Sequence, residues 1–550
     1  MALNIKKDYP YLIILIIFSS ILITYLINFN LNFGIFCSDV YVYLLNALYF
    51  TGENIRSTST ISLSPIICYL TSLLFEIGFK HQIAIFMVTG LFAIFGFIGL
   101  FLLLKTRFNN LLSLLATVIF ISFSLNLAWL ANGSIDIPAV SLTLWAMLFL
   151  ILALDKNPKY FILTILLFLL AFFIRTTVIL FLPVLIFYYL SKKNFIANLL
   201  LNDKFKRFKA YLFSKEFKYI LIGLLISLVL FIIISYKITK MGDTVVFLGQ
   251  SSNAITGTRQ GIGDPAYNTD ILFYIKNLTN FLSSSHVTFL NHKLILKNPT
   301  FISYAYIVLF IAGIILIISN YYKKFKDFKI KTNYKHMILI ILMIFLTIIS
   351  FNNVSSFITL ILCFLTLLIT DFIFKKYNFK YLSLNLAFLG WILFNLIFFS
   401  YLDIKVDRYF IACLVGITYF IVSAFYLIQV KFPKREKLFN GIYIIIILIL
   451  MISSFNFVNT YEDTDEFKNE ESISIFLKNY DEDYKNKTIG SYNVRYYSWY
   501  LLKYVEAYPS QNQTKIDNSD LDYYISNKTQ DLDNFKEIKN IGTLYVYERI

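Results

Sequence analysis

The chain has 550 residues, of which 58% are hydrophobic, 18% aromatic and only 15% charged. Its mean hydropathy of +0.68 is that of a polytopic membrane protein and excludes an ordinary soluble domain. The formal net charge of +16 would suit a nucleic-acid binder, but the Lys and Arg lie mainly in short loops between apolar runs, so no nucleic-acid partner is implied.

In chain order, Lys6-Lys7 precedes a first apolar segment, 11–33. It is too long for the core of a secretory signal and has no small-residue cleavage site, so it reads as a retained span with its N-terminus inside. Further spans are predicted at 82–104, 111–130, 138–154, 160–174, 176–190, 219–236, 301–319, 337–351, 357–374, 381–400, 409–428 and 440–457, about thirteen in all. The loops alternate in charge. One side carries Lys105 and Arg107, Lys156 and Lys159, the runs Lys192 to Lys218, Lys323 to Lys335 and Lys375 to Lys380, and Lys431 to Lys437. The other receives Asp39, Asp136, the stretch 238–300, NNVSS and YLDIKVDR. Basic loops mark the cytoplasm, so the expected cell-membrane protein is multi-pass, with a cytoplasmic N-terminus and an extracytoplasmic C-terminus.

Two outer segments are longer than a turn requires. The first, 34–80, holds amphipathic stretches at 39–50 and 64–78, the second opened by Pro65, both expected to lie along the interface. The second, 238–300, includes the polar, Gly-rich GQSSNAITGTRQGIGDPAY. After residue 457 the composition turns acidic and polar. KTIGSYNV and LDYYISN read as strands, YYSWYLLKYVEAY as a helix and GTLYVYERI as a closing strand. The expected organisation is an all-α transmembrane domain, 1–457, followed by a small extracytoplasmic α/β domain, 458–550. Sequons at Asn486, Asn512 and Asn527 suit an outward face, although a chain rich in Asn also produces them by chance.

Asp39, Asp136 in ANGSIDIP, and Asp403, Asp407 and Arg408 in YLDIKVDRYF all fall at outer ends of predicted spans. Ionisable groups at membrane depth are costly, and their recurrence on one face points to a site, although helix capping or headgroup water accounts for any one alone. A carboxylate in a partly dehydrated pocket has its pKa raised unless a cation or metal compensates, which suits a general base. Arg175, in AFFIRTTV, and Arg408 present guanidinium groups suited to the phosphate of an anionic lipid, with interfacial snorkelling the alternative for Arg175. Tyr43, Asp403, Asp407, Tyr409 and Arg259 are the candidates for positioning a substrate. GTRQGIG lacks the Lys-Ser/Thr of a phosphate-binding P-loop, and His81, His286 and His292 form no recognisable metal set. Cys37, Cys68, Cys363 and Cys413 have no paired spacing, so neither a zinc site nor a disulfide framework is legible.

A first span followed by Asp39, Tyr43, Ala47 and Gly52, then Ser64-Pro65, resembles the first outer loop of the glycosyltransferase C superfamily. The branch it is most similar to is that of the protein O-mannosyltransferases and lipid A aminoarabinose transferases, whose Arg-Tyr at a late span is matched by Arg408-Tyr409 in DRYF. The layout of many spans with an outer C-terminal domain is similar too. Two departures stand out: many relatives carry a second acid directly after the first, where this chain has Val40, and YYSWY at 496–500 does not match the WWDYG-like motif of oligosaccharyltransferases. The resemblance implies a polyprenyl- or dolichyl-phosphate sugar donor, a protein, lipid or glycan acceptor, an outer-face site among membrane lipids, and inversion at the anomeric carbon. It implies Asp39 as general base, Asp136 holding the acceptor or a metal, and Arg175 and Arg408 neutralising the departing phosphate. Whether Mg²⁺ or Mn²⁺ takes part stays open. The alternative is a transporter or flippase for lipid-linked saccharides, against which stands the scarcity of broken helices with midplane charges.

Overall fold

The computed structural model describes residues 5–53, 55, 63–194, 212–240, 267–283, 287–290, 293–296, 301–327, 334–375, 377, 379–459 and 467–550. Nine helices among them are long and apolar enough to cross a membrane, and the predicted segments 111–130, 160–174, 176–190 and 337–351 are filled by shorter apolar helices. The chain is a multi-pass membrane protein of mainly helical structure. In chain order the helices that matter for the site are α1 (Ile5–Phe33), α2 (Ser38–Phe50), α3 (Pro65–Glu76), α4 (Ile83–Leu104), α5 (Asn110–Ser122), α6 (Ser124–Trp129), α7 (Asp136–Asp155) and α8 (Tyr160–Ile174). Later come α9 (Leu382–Tyr401) and α10 (Ile411–Lys431), the latter entered through a 3₁₀ turn, Asp407–Phe410.

Local chemistry explains where several of these begin and end. Asn109 caps α5 by accepting the Leu112 N–H at 2.9 Å, and Pro65 opens α3 at a position whose N–H needs no partner. The predicted span 111–130 is broken: Phe123 is extended, and the Ser124 N–H donates to the distant Ser283 carbonyl at 2.9 Å instead of continuing the helix. Segments 39–50 and 64–78, expected as interfacial helices, are α2 and α3, packed on each other, with α3 also against α4. Between α1 and α2 the chain turns at Gly34, φ +99°, where a Cβ would stand 2.5 Å from the Phe467 carbonyl oxygen, so only glycine lets this turn lie against the chain at Phe467.

The C-terminal region forms a five-stranded sheet of β1 (Ile489–Ser491), β2 (Glu506–Ala507), β3 (Tyr523–Ser526), β4 (Phe535–Ile541) and β5 (Leu544–Arg549) in the order β2-β1-β3-β5-β4. β1 runs parallel to β2 and β3, while β5 pairs antiparallel with β3 and β4. Helices α11 (Asn469–Tyr480) and α12 (Val494–Leu501) pack against this sheet and each other. The three sequons are exposed on it. Tyr41, Phe75 and Trp499 belong to one apolar cluster that joins α2 and α3 to this domain, with the Phe75 and Trp499 rings stacked at 5.9 Å. The C-terminal domain therefore sits directly on the helix that carries Asp39.

Candidate active site

Asp39 lies in the first turn of α2, where the helix dipole favours a negative charge. Asp136 lies in the first turn of α7, after a loop held by many short bonds. Asn30 donates to the Leu130 and Ala131 carbonyls at 3.3 and 3.0 Å, the Ser134 N–H donates to Asn132 Oδ1 at 2.9 Å, and Ser134 Oγ donates to Asp136 Oδ2 at 3.0 Å. Gly133, φ +86°, brings this loop against α2, since a Cβ there would stand 2.6 Å from Val40 Cγ1. The position after Asp39 is thus a packing contact that holds the two acids' elements together.

Arg408 closes the cluster from the 3₁₀ turn before α10. Its Nη2 donates to Asp39 Oδ2 at 2.6 Å, its Nη1 to Cys37 Sγ at 3.4 Å, and its Nε stands 4.0 Å from Asp136 Oδ2. Arg175, just after α8, pairs with Asp136 Oδ1 at 2.5 Å, donates from Nε to Thr177 Oγ1 at 3.0 Å and lies over the Tyr409 ring, which stacks on Phe399. Side-chain exposure is 5% for Asp136 and 12% for each arginine but 33% for Asp39, so Asp39 is the open edge of a buried network. Burial alone would push the Asp39 carboxyl up. The Arg408 charge and hydrogen bond, with Arg495 and Arg175 beyond, outweigh it and hold the carboxyl below the ordinary carboxylate range. Burial likewise pushes the Cys37 thiol up to about 11, so it stays neutral.

Of the remaining sequence candidates, Tyr43 is buried on α2, and Asp407 accepts from Trp129 Nε1 at 3.2 Å beneath Arg408, whose guanidinium lies over the Trp129 ring. Asp403 is held elsewhere, its backbone carbonyl accepting the Asn268 N–H at 2.7 Å. Arg259 and the GTRQGIG loop lie outside the described residues, as do His286 and His292. Three residues with no motif of their own also build the site: Trp129, Gly133 and Lys405. Lys405 turns inward to donate to the Ser400 carbonyl at 2.6 Å and to those of Phe399 and Leu402, capping α9 ahead of Arg408. Burial pulls its pKa down to about 8 against the charges of Asp403 and Asp270.

A cavity of about 40 Å³, lined by Asp136, Thr143, Arg175, Asn395, Arg408 and Tyr409 among others, lies behind the ion pairs and has room for small polar groups but not a sugar ring. The buried Arg408 Nε has no hydrogen-bond partner among the described residues. The donor set does not suit a dication. Each carboxylate is compensated by a guanidinium, and among the described residues no three of His, Cys, Asp and Glu gather to hold an ion. A much larger cavity, about 1050 Å³ between helices 301–327, 334–350, 356–375 and α9, shares no described lining residue with this cluster, and none of its described lining side chains is charged.

The family model for dolichyl-phosphate-mannose-protein mannosyltransferases matches residues 62–236. No curated protein matches the sequence. Among solved structures, ArnT from Cupriavidus metallidurans bound to undecaprenyl phosphate superposes with a TM-score of 0.58 at 7% identity, covering 97% of this chain and 97% of that one. The archaeal oligosaccharyltransferase AglB from Archaeoglobus fulgidus, in complex with an inhibitory peptide and a dolichol-phosphate, gives 0.53 at 10% identity over 94% of this chain and 69% of that one. The matched segment runs from the loop before α3 through α7 and α8, so it contains Asp136 and Arg175 but neither Asp39 nor Arg408. In that segment and in its whole-chain fold, the protein resembles the glycosyltransferase C superfamily.

Proposed function

We propose that the chain is a membrane glycosyltransferase that moves a sugar from a polyprenyl- or dolichyl-phosphate donor to a hydroxyl acceptor on the extracytoplasmic side, with inversion. The acceptor oxygen attacks the anomeric carbon and its proton passes to Asp39. The bond from that carbon to the phosphate oxygen breaks, and the electron pair leaves with the lipid phosphate. Residues 1–457 form the transferase domain and 458–550 an extracytoplasmic domain over it. Arg408 and Arg175 compensate the negative charge that grows on the phosphate, and Asp136 orients them.

The observation that carries this reading is the buried Arg408 Nε, without a hydrogen-bond partner among the described residues, beside an ionised, partly open Asp39. A buried N–H without an acceptor costs about 1–3 kcal/mol, so a phosphate oxygen supplying that acceptor gains more there than in water. The test is transfer from radiolabelled polyprenyl-phosphate sugars into endogenous acceptors, in membranes with and without the protein. Incorporation that depends on the protein supports a lipid-dependent transferase. Lipid-linked sugar that changes leaflet without incorporation overturns it.

The loop contact makes a separate prediction. Gly133→Val strains a positive-φ position and drives a side chain into Val40, displacing Asp136 from Asp39. A misplacement of about 1 Å costs roughly 10²-fold in rate, so transfer per folded molecule is expected to fall by about that factor. Comparable rates in the variant and the wild type would show that the Gly133 contact does not set the site.

A further inference from the structure

Each arginine already identified in the cluster holds a carboxylate. Arg408 holds Asp39, and Arg175 holds Asp136. A phosphate arriving from the open side must either displace one of these pairs or meet a cation that has no carboxylate of its own. The C-terminal domain brings one to the spot. Helix α12 packs against α2, with the Tyr496 and Tyr41 rings 4.5 Å apart and the Tyr41 and Tyr500 hydroxyls hydrogen-bonded at 3.1 Å. Arg495 precedes Tyr496 on this helix, and Asp39 lies two residues before Tyr41 on the other.

Arg495 is half-buried at this junction, and among the described residues its guanidinium has no ion pair and no hydrogen bond. Its charge nonetheless reaches Asp39, where it counts for more than that of Arg175. Asp39 is thus under the charge of Arg408 from the helical bundle and of Arg495 on the packed helix of the C-terminal domain. A guanidinium stays charged at any accessible pH and offers a planar fork of donors that matches phosphate geometry.

We propose that Arg495 is a binding residue for the lipid-linked phosphate, so that the C-terminal domain supplies part of the donor site and does not merely cover it. The inference rests on the transferase reading for its substrate class. Because Arg495 has no ion pair among the described residues, it takes the phosphate without exposing either acid, and Arg408 and Arg175 keep the two carboxylates in place while the donor docks.

The experiment uses the full-length protein in detergent or nanodiscs and compares wild type with Arg495→Gln and Arg495→Lys. The readouts are donor KM, acceptor KM, thermal unfolding, and direct binding of polyprenyl phosphate without a sugar. Loss of a charge-assisted contact is expected to raise donor KM and weaken polyprenyl-phosphate binding in parallel, by about 10- to 100-fold. Acceptor KM and unfolding temperature are expected to stay at wild-type values, and Arg495→Lys to restore part of the affinity. Inorganic phosphate at millimolar concentration is expected not to compete, which separates a lipid headgroup from free phosphate.

Unchanged polyprenyl-phosphate binding in Arg495→Gln overturns the inference. So does a loss that comes with a lowered unfolding temperature and no rescue by Lys, because that is the mark of a domain contact. Competition by inorganic phosphate overturns the lipid assignment. If the wild type transfers no sugar, the transferase reading fails by itself, and the binding measurement still decides the role of Arg495.

Discussion

Asp39→Asn is expected to lower sugar transfer by about 10²- to 10⁴-fold at saturating donor, with little change in the amount of folded protein. Asparagine keeps the shape of the side chain and an oxygen that can accept from Arg408, so α2 and the 3₁₀ turn stay docked, but the group that takes the acceptor proton is gone. Asp39→Glu keeps the carboxylate and moves it by one methylene, and an intermediate rate is expected. The pH dependence sharpens the test. In the free enzyme burial works against ionisation of Asp39, yet Arg408, Arg495 and Arg175 together hold its carboxyl below the usual range, so it is ionised throughout neutral pH. The profile of kcat/KM is therefore expected to show no acid limb from Asp39 across about pH 5 to 8. Once the donor phosphate shares Arg408, Asp39 loses part of its compensation and its pKa rises, so the profile of kcat is expected to gain a limb on the acid side. The effect on folding runs in the same direction but at lower pH. A carboxyl depressed in the folded state contributes its full stability above the unfolded carboxylate range and loses it as pH falls through the folded value, so neutral pH costs the pair nothing. Identical kcat profiles for wild type and Asp39→Asn would remove Asp39 as the base.

Much of this architecture is legible in the residues because hydropathy and loop charge are one-dimensional signals. Each predicted span is filled by helix, 111–130 by two broken at Phe123, and the acids at the ends of α2 and α7 and in DRYF do converge. What is not legible is pairing. Asp39 and Arg408 are 369 positions apart, and nothing in either motif says which arginine meets which acid. The break at Phe123 is invisible to hydropathy because its stabilising partner, the Ser283 carbonyl, lies in a distant loop. In the C-terminal region β4 escapes a pattern search because it is an edge strand with mostly exposed side chains and a bulge between Glu537 and Lys539, so it has no clean apolar alternation. Helix α11 is masked by the acidic run around it, its buried face resting on little more than Ile473 and Leu477. Arg495 stands in a stretch whose aromatic residues draw the eye, and only the packing of Tyr496 on Tyr41 shows which acid it approaches. Val40 is the instructive case. As a motif position it looks like a missing second acid, and in the fold it is the surface on which Gly133 rests.

The Asp136–Arg175 pair is where structure and chemistry can be pulled apart. Asp136→Asn leaves a buried guanidinium that keeps Thr177 and the face of Tyr409 but has lost its counter-charge. Breaking one side of a buried pair costs about 3–5 kcal/mol, so the single variant is expected to be strongly destabilised, with a large drop in unfolding temperature in detergent. Removing both charges is different. In Asp136→Asn with Arg175→Met, an uncharged side chain of similar reach fills the space between α7 and α8, and replacing both members of a buried pair is often neutral or stabilising. The double variant is therefore expected to recover most of the lost stability. If the pair existed only to hold the helices together, transfer would recover with it. If Arg175 compensates the departing phosphate while Asp136 orients it, the double variant folds like wild type and transfers sugar at least 10²-fold more slowly, since electrostatic stabilisation of that size is what a removed donor costs. Unfolding temperature and transfer rate measured on wild type, Asp136→Asn and the double variant decide between them: recovery of both sinks the catalytic role, and recovery of stability alone assigns the pair to the chemistry.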